Sequence, residues 1–258
     1  MPDHAGPDTR FVCIIGAQRS GSTWLHQMLD AHPAIQMAKP VAPEPKYFLH
    51  GAGSTSTCSR EEYLLRYFPD ARSGQVVGEK STSYIEHPEV AARILSLFPQ
   101  AKAIAILRHP VARALSNHRF SVQRGLEGRS FRQVFHDELP APPIPPGTSV
   151  DPFDYLGRSH YLPQLQPWLD VLGDALRIEI MEELQASPEQ LQELYAWLGV
   201  EREYVPPDFR STPNATAEAD RIAVDPDVIR KLSAHFAPEI STLEIHLGRS
   251  IPRWHDPI

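Results

Sequence analysis

Phe11 to Leu29 reads FVCIIGAQRSGSTWLHQML, and the fold is read outward from it. The run from Phe11 to Ile15 is apolar and partly β-branched, which is the composition of a strand buried inside a parallel sheet. Gly16 and Gly21 then bracket a polar loop, and Trp24, Leu25, Met28 and Leu29 recur at the spacing of one helix face. A strand, a glycine-flanked loop and a helix in that order aim free backbone N–H groups and the positive end of a helix dipole at one spot. Such a spot suits a phosphate or a sulfate.

The loop keeps the glycine spacing of the nucleotide-triphosphatase loop G-x-x-x-x-G-K-[ST], and Thr23 keeps its hydroxyl. Ser22 stands where that loop has its lysine, while Arg19 supplies a cation from within. The cradle is therefore present without the usual NTPase electrostatics. An ordinary β–α turn is the plainer alternative, although such a turn seldom needs two glycines at this interval.

Composition sets the bounds. The chain has 258 residues, 41% hydrophobic and 22% charged, as expected of a globular α/β protein with a sizeable core. Its net charge of -7 argues against a nucleic-acid groove or an anionic membrane surface as primary partner. Cys13 and Cys58 do not form a disulfide framework, and no apolar run is long enough to span a bilayer. Met1 to Arg10 is a polar tail, so the expectation is one domain from residue 11 to 258 and a reducing, cytoplasmic setting.

Further strands are expected over Gln75–Glu79, Lys102–Leu107 and Ala175–Met181. Helices are expected over Pro88–Phe98, from Pro110, over Phe131–Leu139, Asp154–Leu172 and Pro188–Leu198, and over Asp225–Leu247. The alternation implies an α/β, three-layer fold whose central, mainly parallel sheet is flanked by helices. Residues 140–152 carry six of the prolines and cannot form a helix or a central strand, so they read as an extended loop. Two charged side chains stand out. Lys80 follows a strand, where open α/β sheets place ligands, and Glu44 lies between Pro43 and Pro45 in a stiff, extended segment. Each is otherwise a solvated surface charge.

Gln18-Arg19-Ser20-Gly21-Ser22-Thr23-Trp24 resembles the 5′-phosphosulfate loop, K/R-[ST]-G-[ST]-[ST], of sulfotransferases that use 3′-phosphoadenosine 5′-phosphosulfate (PAPS). Pro43-Glu44-Pro45-Lys46-Tyr47-Phe48 resembles the K-E-P-H-F-F-like motif of the heparan-sulfate branch and its bacterial relatives, with Pro43 and Lys46 as departures. Glu79-Lys80-Ser81-Thr82-Ser83-Tyr84 resembles E-K-[ST]-P-x-Y, with Thr82 in place of proline. Arg108-His109-Pro110, with Arg113 and Ser116, resembles the 3′-phosphate motif L-R-[DN]-P-x-x-R-x-x-S, with His109 as the departure.

The resemblance covers most of the chain and implies the P-loop-like sulfotransferase fold, PAPS as cosubstrate and PAP (adenosine 3′,5′-bisphosphate) as product. It makes Glu44, Lys80 and Arg19 the catalytic candidates, with Glu44 as general base. His26, His32 and His118 compete as base, because other branches use histidine. Gln18 to Thr23 would hold the phosphosulfate, and Arg108 and Ser116 the 3′-phosphate, where a planar guanidinium pairs well with phosphate oxygens. Trp24 is either an adenine stacker or a core residue, and Arg113 either a helix brace or a ligand contact. Tyr161 is a nucleotide-facing candidate, and Arg221 the candidate for closing the 3′-phosphate pocket.

The chemistry requires no metal, because the leaving nucleotide diphosphate is already a good leaving group. The acceptor would be a hydroxyl or amine on a carbohydrate, lipid or small metabolite, with residues 140–152 over its cleft. A P-loop kinase and a catalytically silent PAPS-binding protein are the other two readings.

Overall fold

The computed structural model describes residues 9–49, 59–211, 224–256 and 258. The N-terminal tail up to residue 8, Cys58 and Arg221 lie outside the described residues. The strands are β1 (Arg10–Gly16), β2 (Ile35–Met37), β3 (Val76–Lys80), β4 (Lys102–Leu107) and β5 (Leu176–Ile180). Helices α1 (Ser22–Ala31), α2 (Arg60–Tyr67), α3 (Glu89–Leu97) and α4 (Pro110–Gln123) come first. They are followed by α5 (Phe131–Phe135), α6 (Tyr161–Leu172), α7 (Met181–Leu184), α8 (Pro188–Leu198) and α9 (Pro226–Leu247). None of the described helices is long and apolar enough to cross a membrane.

The chain divides into two compact units, residues 1–107 with 165–213, and residues 108–164 with 214–258. The first contains the whole sheet, in the order β2-β3-β1-β4-β5 with every pair parallel. Alternation along β1 feeds two cores. Val12 and Ile14 join Val76, Ile104 and Ile106 against α1 and α8, through Leu25, Met28, Leu191 and Leu194. Phe11, on the opposite side, meets Tyr63 of α2 and stacks on Phe98 just past α3. The expected layered α/β arrangement is thus present within this unit.

In the second unit α4 and α5 pack on α9. Val111, Ala114, Leu115, Phe131, Phe135, Leu232 and Phe236 make its core. Arg113 is fully buried there. It donates to Ser159 Oγ at 2.6 Å, to the Tyr155 carbonyl at 2.8 Å and to Asn117 Oδ1 at 3.1 Å, which is the bracing role.

Two expected helices are shorter than their sequence patterns. The one expected from Asp154 begins at Tyr161, because the Asp154 carboxylate takes the Gly157 N–H at 2.7 Å and holds a turn there. The one expected to reach Leu139 ends at Phe135, where the Asp137 N–H turns back to the Arg132 carbonyl at 2.9 Å and Glu138 takes a left-handed φ of 54°. Residues 140–152 contain no regular element, as expected. Their flanks are anchored inside the unit: Arg129 donates to the Leu139 carbonyl, and Ser121 to that of Pro152 at 3.3 Å.

Candidate active site

Gly16 ends β1, and residues 17–21 lead into α1. The loop is tied to the sheet by the Ala17 N–H, which donates to the Ile106 carbonyl at 2.8 Å. Arg19 has φ 71° and Gly21 φ 85°, both in the left-handed region. Gly21 is required on two counts, because a Cβ there would also lie 2.8 Å from Met181 Cγ. α1 starts at Ser22 with no side-chain cap and no acidic residue in its first turn. Its leading N–H groups, which have no partner within a helix, are thus left to a ligand. The Ser20 hydroxyl is buried and has no hydrogen-bond partner among the described residues. A buried donor in that condition is costly unless something binds it. Gln18, Arg19 and Thr23 are half-buried, and Ser22 is buried at the helix start.

β3 is the neighbour of β1, with Ile14 opposite Lys80, so both strands end at the same edge of the sheet. Lys80 is the last residue of β3, not the residue beyond it. Its ammonium donates to Glu44 Oε1 at 2.6 Å, and the two side chains are only 7% and 15% exposed. Glu44 Oε2 accepts the Thr82 N–H at 2.9 Å, and the Thr82 hydroxyl reaches both carboxylate oxygens, at 2.9 and 3.1 Å. The segment after Glu44 is pinned as well: the Lys46 N–H donates to Ser81 Oγ at 2.9 Å and the Phe48 N–H to the Tyr84 hydroxyl at 3.0 Å. Two prolines and these bonds hold a loop carboxylate against a strand-end lysine, from 36 residues away in sequence.

Thr82 is the site residue that sequence reasoning passed over. It stands where the family motif has proline, and the replacement supplies both an N–H and a hydroxyl to Glu44. A proline could give neither. Its position between a strand-end lysine and a turn was the available signal.

Each competing histidine sets its Nε2 on a backbone carbonyl, and the Nδ1 atoms of His26 and His118 are buried with no hydrogen-bond partner among the described residues. His26 pairs with the Ala38 carbonyl, His32 with that of Glu201 and His118 with that of Arg129. Burial lowers the pKa of both His26 and His118.

Trp24 is a core residue here. It is 2% exposed, its indole N–H donates to the Phe209 carbonyl at 3.1 Å, and the Phe209 ring packs edge-on at 5.8 Å. An adenine stacked on this indole requires Phe209 to give way.

In the second unit, Arg108 comes directly after the last residue of β4 and Ser116 lies within α4. Tyr161 is buried, and its hydroxyl donates to the Arg108 carbonyl at 2.6 Å. It therefore supports the Arg108 backbone instead of presenting its hydroxyl to a nucleotide. His109 explains its own departure from the family's Asp/Asn. As N-cap of α4 its Nδ1 accepts the Val111 N–H at 3.2 Å, the task an Asp or Asn oxygen performs. That leaves Nε2–H to donate to the Trp254 carbonyl at 3.1 Å. No group of three or more metal-ligating side chains stands together among the described residues.

Comparisons with known proteins converge on one family. A family model described as "Sulfotransferase family" matches residues 12–61, the stretch holding the loop and Glu44. A membrane-associated sulfotransferase, kil1, of Dictyostelium discoideum is 31% identical over 136 residues, which are 48% of this chain and 27% of that protein. Heparan sulfate glucosamine 3-O-sulfotransferase 5 of Mus musculus is 27% identical over 246 residues, covering 87% of this chain and 68% of the relative. The chain thus spans about a quarter of the first relative's length and two thirds of the second's. Among solved structures, a sulfotransferase from Alicyclobacillus acidocaldarius superposes with a TM-score of 0.74 at 26% identity, over 95% of this chain and 98% of that one.

Proposed function

The chain belongs to the sulfotransferase family, and from that premise we propose that it moves a sulfuryl group from PAPS to an acceptor hydroxyl or amine and releases PAP. In this reaction an acceptor oxygen or nitrogen attacks sulfur in line while negative charge builds on the bridging oxygen of the leaving nucleotide. As in phosphoryl transfer, catalysis is mainly positioning and charge stabilisation.

The observation that carries the reading is the pairing, at one sheet edge, of an uncapped anion cradle with a lysine–glutamate pair. Arg19, the N–H groups from Ser20 to Thr23 and the side chains of Gln18, Ser20, Ser22 and Thr23 take the 5′-phosphosulfate. Lys80 leaves Glu44 for the developing charge on the bridging oxygen. Glu44, relieved of that ammonium but still held by Thr82, takes the acceptor's proton. Arg108 and Ser116 are assigned to the 3′-phosphate, with Tyr161 steadying Arg108 through its carbonyl. Arg221 is kept as the cation that closes on that phosphate. Ser22 at the lysine position of an ATPase loop disfavours the kinase reading.

The acceptor class is a carbohydrate, lipid or small metabolite, with residues 140–152 over it. The mouse relative's name points to a glucosamine hydroxyl as one member of that class.

Glu44→Gln is the deciding variant. PAP affinity by calorimetry should stay at the wild-type value while PAPS turnover falls by ~10²–10⁴-fold, the usual contribution of a general base. Near-normal turnover would remove Glu44 from the role.

A further inference from the structure

Glu79 is a buried ionisable group that the chemistry above does not use. It precedes Lys80 in β3, is fully buried, and turns to the opposite face of the strand, where it accepts a hydrogen bond from the Tyr63 hydroxyl. Ser81 Oγ donates to it at 3.1 Å, and the Tyr84 hydroxyl lies close enough to stabilise its charge. Two neutral hydroxyls thus donate to one buried carboxylate with a third beside it, and the Tyr63 ring that carries one of them packs on Phe11 and Phe98.

Two of the three hydroxyls have a second task. Ser81 Oγ accepts the Lys46 N–H while giving its proton to Glu79, and the Tyr84 oxygen accepts the Phe48 N–H with the Glu79 charge beside it to draw its proton. A hydroxyl has a single proton, so committing it to the carboxylate leaves its lone pairs to face the amide.

We infer that Glu79 is a positioning residue. By orienting Ser81 and Tyr84 it seats residues 46–48, and through Pro45 it sets the Glu44 carboxylate against Lys80 and Thr82. The inference rests on the reading of Glu44 as the base. Glutamine cannot do the same work, because it turns one acceptor oxygen into a donating amide that faces hydroxyl protons. Burial raises the Glu79 pKa and the nearby Glu44 charge adds to the rise, while the three hydroxyls oppose it.

The test compares Glu79→Gln, the double variant Ser81→Ala/Tyr84→Phe, Ser81→Thr and Glu44→Gln. Two quantities are measured: amide hydrogen exchange at Lys46 and Phe48, and kcat and KM for PAPS with an acceptor returned by a labelled-PAPS screen. In Glu79→Gln the two amides should exchange about tenfold faster while β1 and β4 amides keep their wild-type rates. In the same variant kcat should fall about 10–100-fold with KM for PAPS unchanged, as expected when a catalytic group is misplaced. The double variant leaves Glu79 in place and should reproduce both effects, which keeps the test decisive should Glu79→Gln not fold. Ser81→Thr, which restores the hydroxyl, should retain kcat.

Unchanged exchange at Lys46 and Phe48 overturns the inference. So does a Glu79→Gln enzyme whose kcat is intact while Glu44→Gln has lost turnover. Should Glu44→Gln itself keep turnover, the base assignment fails, and the exchange rates alone then decide whether Glu79 seats the segment.

Discussion

Thr82→Pro restores the residue that the family motif carries and isolates what Thr82 does here. Thr82 is the second residue of a turn closed by the Tyr84 N–H on the Ser81 carbonyl at 3.0 Å, with Ser83 at φ -82°, ψ -13°. That is the position where a turn accepts proline, so the backbone should be retained. What is lost is the N–H at 2.9 Å from Glu44 Oε2 and the hydroxyl shared between both oxygens. A hydrogen bond to a charged group contributes about 1.5–3 kcal/mol. The Glu44 side chain is 15% exposed, so water replaces part of the loss and the lower end applies. Two bonds at that end give about 3 kcal/mol, and proline at a compatible turn position returns about 0.4–1 kcal/mol through the unfolded chain. The net is a loss of about 2 kcal/mol, which for a chain of this size lowers the unfolding midpoint by about 4–8 °C. Turnover of PAPS should fall about 10–100-fold because the base is loosened, while PAP affinity holds. Thr82→Val keeps the N–H and should fall between. The assays are calorimetric unfolding, PAP titration and labelled-PAPS turnover. A Thr82→Pro protein matching wild type in midpoint and kcat would refute the argument, because Glu44 would then be held by Lys80 and its own segment alone.

The remaining predictions concern the loop and the second unit. Gly21→Ala should lose about 2–4 kcal/mol in denaturant unfolding, from a left-handed φ and overpacking on Met181 together, and PAP binding with it. Met181→Ala in the same chain should recover only the steric share. Tyr161→Phe removes the bond to the Arg108 carbonyl, so calorimetry should show PAP binding about fivefold weaker, with kcat little changed. Burial pushes the Glu127 carboxyl up, but the bonds from Arg129, with one from Tyr155, outweigh it and hold the pKa at about 2, below the ordinary 4.5. A depressed carboxylate contributes stability above its unfolded pKa and loses it as pH falls through the folded one. The stability difference between wild type and Glu127→Gln should thus be flat above pH 4.5 and shrink from there down to about pH 2, as measured by urea unfolding at each pH.

What the sequence disclosed is what short-range order encodes. The first strand, the two loop glycines and α1 are set by residues within one stretch, and α8 begins and ends at the expected Pro188 and Leu198. Trp24 and Tyr161 were ambiguous because their partners are remote: Phe209 is 185 residues from Trp24, and Arg108 is 53 from Tyr161. No periodicity distinguishes an aromatic that faces a ligand from one that faces such a partner. Glu79 did carry a readable signal. It is an acid inside an otherwise apolar strand, next to Val76, Val77 and Gly78, and a carboxylate in that setting must be heavily hydrogen-bonded. Which hydroxyls would meet it, from α2 and from the turn after β3, depends on packing that the strand itself does not specify.

The order of Glu79 and Lys80 follows from the same geometry. Adjacent strand residues point to opposite faces, so β3 sends one charge to the reacting edge and the other into the framework. In the proposed reaction Lys80 leaves its carboxylate partner when charge develops on the nucleotide, and a mobile ammonium on a long stem suits that exchange. Glu79 meets hydroxyls, and that of Ser81 accepts from the backbone while it donates to the carboxyl, so the buried group fixes structure without a counter-cation to hold. Reversing the pair would set a buried ammonium against the Tyr63 and Ser81 hydroxyls, which would have to surrender their lone pairs to it. It would also place a second carboxylate against Glu44, where two like charges in a half-dry site force one to take up a proton. Acid inward and base outward is therefore the order in which this strand end both seats residues 46–48 and sets an ammonium, not a second carboxylate, against Glu44.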